Sequence, residues 1–348
     1  MAGRNAKSPG GKGSSAETAP DKVAPVVGGV CGARRMATLD DIVEAVREFP
    51  VRRVAVACAQ DEAVLSAVAE ARSRDIAEYV LVGDREGILA AAASAKVEID
   101  PACVVHEPDG LKAAARAVAL ARDGSADIVM KGYIHTDDFL RAVLDKENGL
   151  RAGSIMSHVF VLEARHQGRL VLVSDGAMNI APDLAAKANI IMNAVHVARM
   201  LGMAEPRVAV LAAVEMVNPA MPATVEAATL AKMSERRQFS VPCRVDGPFA
   251  LDNAVSALAA RHKKLSGPVA GEADVLIAPD VEAGNILAKS FVYLAGGDVA
   301  GVLVGALRPV VLTSRADNAR SKLMSIALAV LMSNCQRDVR LKVGKVHF

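Results

Sequence analysis

The sequence predicts an α/β fold in which parallel β-sheet is joined by helical crossovers. Three observations predict it. Short β-type apolar runs alternate with helical segments from about residue 36 onward. The chain has 348 residues, enough to bury the core of two ordinary domains or of one large α/β domain. No internal period of the kind that marks a solenoid recurs.

The elements follow in order. "RRVAVACA" (52–59) reads as a buried strand, and "DEAVLSAVAEARSR" as a helix opened by Asp61. "EYVLVG" (78–83) is the next strand, and "GLKAAARAVALARDG" (110–124) is a helix that feeds the strand "ADIVMKG" (126–132). The same alternation continues through "RLVLVSD", "RVAVLAAVE", "ADVLIAP", "AGVLVGA" and "PVVLTS", each with a helical segment after it or nearby.

Residues 1–35 are rich in Gly, Ala, Ser, Pro and Lys and lack both a long apolar core and an amphipathic period, so they read as a disordered tail. The "GGKGSS" within them lacks the spacing of a phosphate loop. No stretch is long and apolar enough for a membrane span. With 41 basic and 39 acidic residues, the net charge of +2 indicates neither a nucleic-acid footprint nor a polybasic membrane surface. Aromatic residues make up only 3%, with no Trp, which also argues against a base-stacking platform. Cys31, Cys58, Cys103, Cys243 and Cys335 are scattered without CxxC spacing. That spacing argues against a disulfide framework or a thiolate zinc site and fits a reducing cytoplasm.

Ligands of open parallel sheets bind beyond the carboxyl ends of strands. Five such ends carry polar residues: Lys131, Gly132 and Thr136; Asp175 and Asn179; Glu215 and Asn218; Glu282, Gly284 and Asn285; Ser314, Arg315 and Asp317. Taken singly, each also reads as helix capping or turn chemistry. In "PVVLTSRADNARSKLMSIALAVL" the run "VVLT" is a strand, and Leu323, Ile326, Ala327 and Val330 follow at helical spacing. Ser314, Arg315 and Asp317 therefore lie in a strand-to-helix turn. Free amides and the helix dipole favour an anion there, and Arg can grip phosphate bidentately. The bland alternative makes Asp317 or Ser314 a cap and leaves Arg315 solvated.

"MKGYIHTDDFLRAVLDKENGLR", "SHVFVLE", "SDGAMNIAPDL", "AVEMVNPAMPATVEAA", "VDGPFALDNAVS", "VAGEADVLIAPDVEAGNILAKS" and "GALRPVVLTSRAD" occur in order between about residues 52 and 332. Together they resemble the phosphate acetyltransferase and phosphate butyryltransferase family. The resemblance implies the reaction acyl-CoA + phosphate = acyl phosphate + CoA, with coenzyme A as a substrate and with no cofactor or metal. It implies two α/β domains with an isocitrate dehydrogenase-like fold and an interdomain cleft. The first would span 36–152 plus 301–348, and the second would be inserted as 153–300. A cytoplasmic homodimer is expected.

By the same resemblance Ser314 lies near the thiol and Arg315 on the phosphate, Arg141 matches a second arginine, and Lys131, Thr136 and Asn285 join the substrate site. Arg141 can equally pair with Asp137 or Asp138 on its own helix. The acetyl branch carries an Asp seven positions after the motif serine, and Ser321 stands there in this chain. The base is thus unassigned. Asp317 is the nearest carboxylate in sequence and the catalytic candidate, and a thiolate stabilised by Arg315 and the helix dipole is the other possibility. Acetyl is the narrow preference for the acyl group, with butyryl as the alternative. A non-catalytic acyl-CoA or acyl-phosphate sensor would lose Ser314, Arg315 or Arg141, and all three are present. A decarboxylating dehydrogenase would have to recruit Asp175, Glu215, Asp246 and Asp252 for a metal, and no dehydrogenase motif accompanies them.

Overall fold

A computed structural model of the chain describes residues 34–335 and 346–348. Apart from Arg34 and Arg35, the tail expected over 1–35 lies outside the described residues. In chain order the strands are β1 (Arg52–Ala57), β2 (Ala77–Gly83), β3 (Val104–His106), β4 (Ile128–Lys131), β5 (Ser157–Ala164), β6 (Arg169–Ser174), β7 (Arg207–Leu211), β8 (Arg244–Phe249), β9 (Val275–Ile277), β10 (Val299–Val304) and β11 (Val310–Val311). The helices are α1 (Leu39–Val46), α2 (Glu62–Ser73), α3 (Arg85–Ala95), α4 (Gly110–Arg122), α5 (Thr136–Val143), α6 (Leu184–Met200), α7 (Pro222–Glu235), α8 (Leu251–Val255), α9 (Ala257–His262), α10 (Val281–Tyr293) and α11 (Ala319–Cys335).

All these strands form one sheet, in the order β3-β2-β1-β4-β11-β10-β5-β6-β9-β7-β8. Most pairs are parallel, as the alternation predicts. The exceptions sit at the middle, where β10 runs antiparallel to β11 and β5, and β5 antiparallel to β6. The cause is local. Only residues 165–168 separate β5 from β6, ending on Gly168 at φ +59°, and so short a connection can join only antiparallel strands. Sequence reading treated "SHVFVLE" as a motif and not as the strand β5, and it missed β3 and β8. The short β3 carries too little pattern to register, and β8 is interrupted by Gly247 and Pro248.

Helix starts obey their capping residues. Thr38 and Asp41 form a capping box on α1, and Asp61, Asp84, Asp109, Asp183 and Asp280 each accept an amide at the start of the next helix. Apolar side chains of α1, α2, α6 and α11 fill one face of the sheet. α4 and α5 cover the other face over the first strands. α11 is buried along nearly its whole length against α1, α2, α6 and β10. Its N-terminus consequently opens at the middle of the sheet, beside the antiparallel seam. Cys335, the last residue of α11, is disulfide-bonded, against the sequence reading of cysteines outside any disulfide framework.

Candidate active site

β11 pairs in parallel with β4, so both strands release their carboxyl ends at one edge. There the chain brings together Lys131 from β4 and the turn 312–318 that leads into α11. Asn318 caps that helix: its Oδ1 accepts the Ser321 N–H at 2.8 Å. Neither Ser314 nor Asp317 is the cap, which corrects the bland sequence reading. Asp317 closes the turn on itself, its Oδ2 accepting the Ser314 N–H at 2.7 Å. Ser314 Oγ accepts the Ala316 N–H at 3.3 Å, so its own proton remains available for donation. Ser321, at the position of the missing aspartate, is buried, and its carbonyl accepts the Ser325 hydroxyl at 2.8 Å.

Two buried lysines underlie this turn. Lys322, 1% exposed, donates from Nζ to the carbonyl oxygens of Ser314 (3.0 Å) and Asp317 (2.6 Å). Lys131, 2% exposed, makes only long contacts among the described residues, 3.3 Å to Gly132 O and 3.5 Å to Thr313 O. Burial, reinforced by the charges of Arg315 and Lys322, pushes the Lys131 amine down to about 8. Burial also lowers Lys322. Asp317 is raised by burial, against the opposing pull of the Ser314 amide and of Lys322 and Lys131.

Arg315 faces outward from the turn. Its guanidinium lies 5.7 Å from the centre of the Tyr133 ring and 3.4 Å from His135 Nδ1. Among the described residues no carboxylate pairs with it. Lys131, Thr136, Ser314 and Arg315 line a cavity of about 460 Å³. Thr136 and Ser314 also line the adjoining cleft of about 510 Å³, together with Asn285, Lys289 and Asp317. Asn285 Nδ2 donates to Gly176 O at 2.9 Å, which docks α10 on the loop after β6. Gly284 is required for that docking, because a Cβ there would stand 2.2 Å from Asp175 O.

Other sequence candidates have different work. The Asp175 carboxylate accepts amides from His158, Ala177, Met178 and Asn179 and so shapes the loop. Glu215 takes hydrogen bonds from Asn253 and Lys263, each at 3.2 Å, and Asn218 bonds Thr224 at 2.8 Å, both away from the two cavities. Arg141 is not brought in: its side chain is 72% exposed, pairs with Asp138 at 3.4 Å and lines neither cavity. Among the described residues no three His, Cys, Asp or Glu side chains converge as a metal-ligand set.

Sequence reasoning missed Lys322 and His158. His158 lines the larger cleft, fully buried, over Gly301, whose missing Cβ would stand 3.0 Å or less from the ring. Its Nε2 lies 3.3 Å from Leu312 O, and a carbonyl can only accept, so the proton is on Nε2 and Nδ1 is bare. Burial, only partly opposed by Asp175, drives this imidazole down to about 4 and keeps it neutral near pH 7. It ties β5 to β11 across the seam.

Comparisons with known proteins agree with one another. The family model described as phosphate acetyl/butaryl transferase matches residues 104–330, a range that includes Lys131, Ser314, Arg315 and Lys322. The chain is 46% identical over 296 residues to the phosphate butyryltransferase of Clostridium acetobutylicum, covering 85% of this chain and 98% of that protein. It is 41% identical over 302 residues to the phosphate acetyltransferase of Rhizobium meliloti, covering 87% and 95%. A solved branched-chain phosphotransacylase from Enterococcus faecalis V583 superposes with a TM-score of 0.71 at 34% identity, covering 82% of this chain and 99% of that one.

Proposed function

The chain belongs to the phosphate acetyl/butaryl transferase family and is a phosphate acyltransferase, and we propose that it moves a short acyl group between coenzyme A and phosphate at the 314–317 turn. One observation carries the placement: Lys131, Arg315 and Lys322 converge on a turn that borders two adjoining cavities, and Arg315 has no carboxylate partner among the described residues. In this reading Arg315 holds the phosphoryl oxygens as a planar fork. The Ser314 hydroxyl donates toward the sulfur or the acyl oxygen. Asp317 acts by holding the Ser314 amide, and Lys322 fixes the turn from below. Thr136 and Asn285 border the substrate. We retain from the sequence the expectation of no cofactor and no metal.

Two acyl groups suit this chemistry. Acetyl is the preference drawn from the sequence. Butyryl is favoured by one feature of the larger cleft, whose wall includes Phe160, Val281, Ile286, Val292 and Leu312. Each buried methylene contributes about 0.8 kcal/mol, so two extra methylenes against that wall favour butyryl-CoA by roughly tenfold in kcat/KM. A series of acetyl-, propionyl-, butyryl- and isobutyryl-CoA with saturating phosphate measures this directly. A rate constant that falls from acetyl to butyryl assigns the shorter chain.

The division into lobes 36–152 plus 301–348 and 153–300, closing on the cleft, is part of the same proposal, as are a homodimer and a cytoplasmic location. Among the described residues no helix is long and apolar enough to cross a membrane.

A further inference from the structure

We infer that Lys131 is the proton acceptor for the coenzyme A thiol, the role left vacant by Ser321. This rests on the acyltransferase reading and adds a residue to it. The position is built by the sheet. Lys131 is the last residue of β4, and its amine lies beside the carboxyl end of β11, within 3.5 Å of Thr313 O. Its ammonium has no carboxylate within ion-pair distance among the described residues, and its long contacts to two carbonyl oxygens leave the nitrogen weakly held. It borders the same cavity as Ser314 and Arg315. The alternative acceptor, Asp317, already takes the Ser314 N–H at 2.7 Å, and Lys322 donates to its carbonyl oxygen.

The charged surroundings suit a neutral amine. Arg315 and Lys322 weaken its hold on a proton, while Asp61 and Asp317 strengthen it, and burial outweighs all four. The nearby Cys58 thiol, pushed up to about 11 by burial, stays protonated and does not compete. His135 and Asp137 also border the cavity. With the amine near 8, about a tenth of it is free base at pH 7, close to the thiol it must deprotonate.

The step balances. From acyl phosphate and CoA, neutral Lys131 Nζ takes the S–H proton, the sulfur forms a bond to the carbonyl carbon, and the bond from that carbon to the phosphate oxygen breaks. Phosphate leaves with the bonding pair, and the ammonium returns its proton to phosphate or to water. In reverse, a phosphate oxygen attacks the thioester, and the departing sulfur is protonated by the Lys131 ammonium. Arg315, and the ammonium of Lys322 below the turn, stabilise the anions that form on either side.

Lys131→Arg keeps a cation but cannot accept a proton, and Lys131→Met keeps the length without the amine. Both should lower kcat from acyl phosphate and CoA by about a hundredfold or more, with KM for acyl phosphate changed less than about fivefold. The wild-type rise in rate centred near pH 8 should become a continuous climb with hydroxide concentration. Lys131→Arg with near-native kcat and a raised KM would overturn the inference and make Lys131 a phosphate-holding cation. Because the residue is buried and its variants can lose the fold, wild-type protein offers an independent reading. The pH dependence of its acetylation by acetic anhydride, followed by mass spectrometry, should have a midpoint near 8. A midpoint at the ordinary lysine value of about 10.4 would overturn it. Wild-type protein without phosphate-dependent CoA release would instead remove the activity itself.

Discussion

Arg315→Ala raises the KM for phosphate and lowers kcat/KM by about tenfold or more, equivalent to about 1.4 kcal/mol, while leaving thermal stability close to wild type. The expectation follows from how Arg315 is held. Among the described residues its guanidinium meets the Tyr133 ring and His135, the latter on the wall of the cavity, so its charge is not consumed by a carboxylate. Removing it deletes no ion pair and opens no core cavity. Arg315→Lys restores part of the loss, because an ammonium supplies the charge but not the parallel N–H pair of a guanidinium. Initial-rate kinetics over a phosphate series, with melting curves of both variants, check this. Unchanged kinetics in both would make Arg315 a solvated neighbour of the turn.

The largest stability effect is expected at the opposite end of the strands, where β9 begins between β6 and β7. Asp274, 1% exposed just before β9, binds Arg35 at 2.6 Å and takes three hydrogen bonds from Arg207, all at 3.0 Å. Arg169 lies 3.6 Å away. Asp274→Asn leaves Arg35 and Arg169 without their nearest counter-charge and Arg207 with Glu272 alone, and costs about 3 kcal/mol, the low end for a buried pair because Arg35 and Arg207 are partly exposed. The midpoint of thermal unfolding should fall by on the order of 10 °C. Burial alone would raise the Asp274 carboxyl, but the Arg207 and Arg35 interactions outweigh it and the net shift is downward. A depressed carboxylate stabilises the fold fully above its unfolded value of about 3.9 and loses that contribution as pH falls through the folded value. Wild-type stability should therefore drop on acidification below pH about 4, and the Asn variant should show a shallower drop. Equal melting temperatures at pH 7 would show that the network contributes nothing.

Much of the fold was legible because its strands are apolar runs between turn residues, and because α2, α3, α4, α6 and α10 open on Asp. Of the candidate residues named at strand ends, Lys131, Thr136, Ser314 and Arg315 come together on the wall of one cavity. Other parts depend on contacts that a sequence does not display. Lys322 lies on a helix whose faces are almost all buried, and a lysine between Ser321 and Leu323 reads as a solvated charge until α11 is seen packed on every side. His158 lies inside β5, and its reach to Leu312 depends on the absent side chain of Gly301. Asn318 takes the cap because α11 starts one residue later than an Asp317 cap would require. Arg141, which the family resemblance matches to a second arginine, pairs with Asp138 one turn away on its own helix and lines neither cavity.

The most direct measurement is release of free CoA from acetyl-CoA and butyryl-CoA by the purified protein, followed with a thiol reagent in the presence of EDTA. The account predicts release that depends on added phosphate or arsenate, saturates with phosphate, and needs neither divalent metal nor nicotinamide. Release that proceeds equally without phosphate, or none with either thioester at any phosphate concentration, would contradict it.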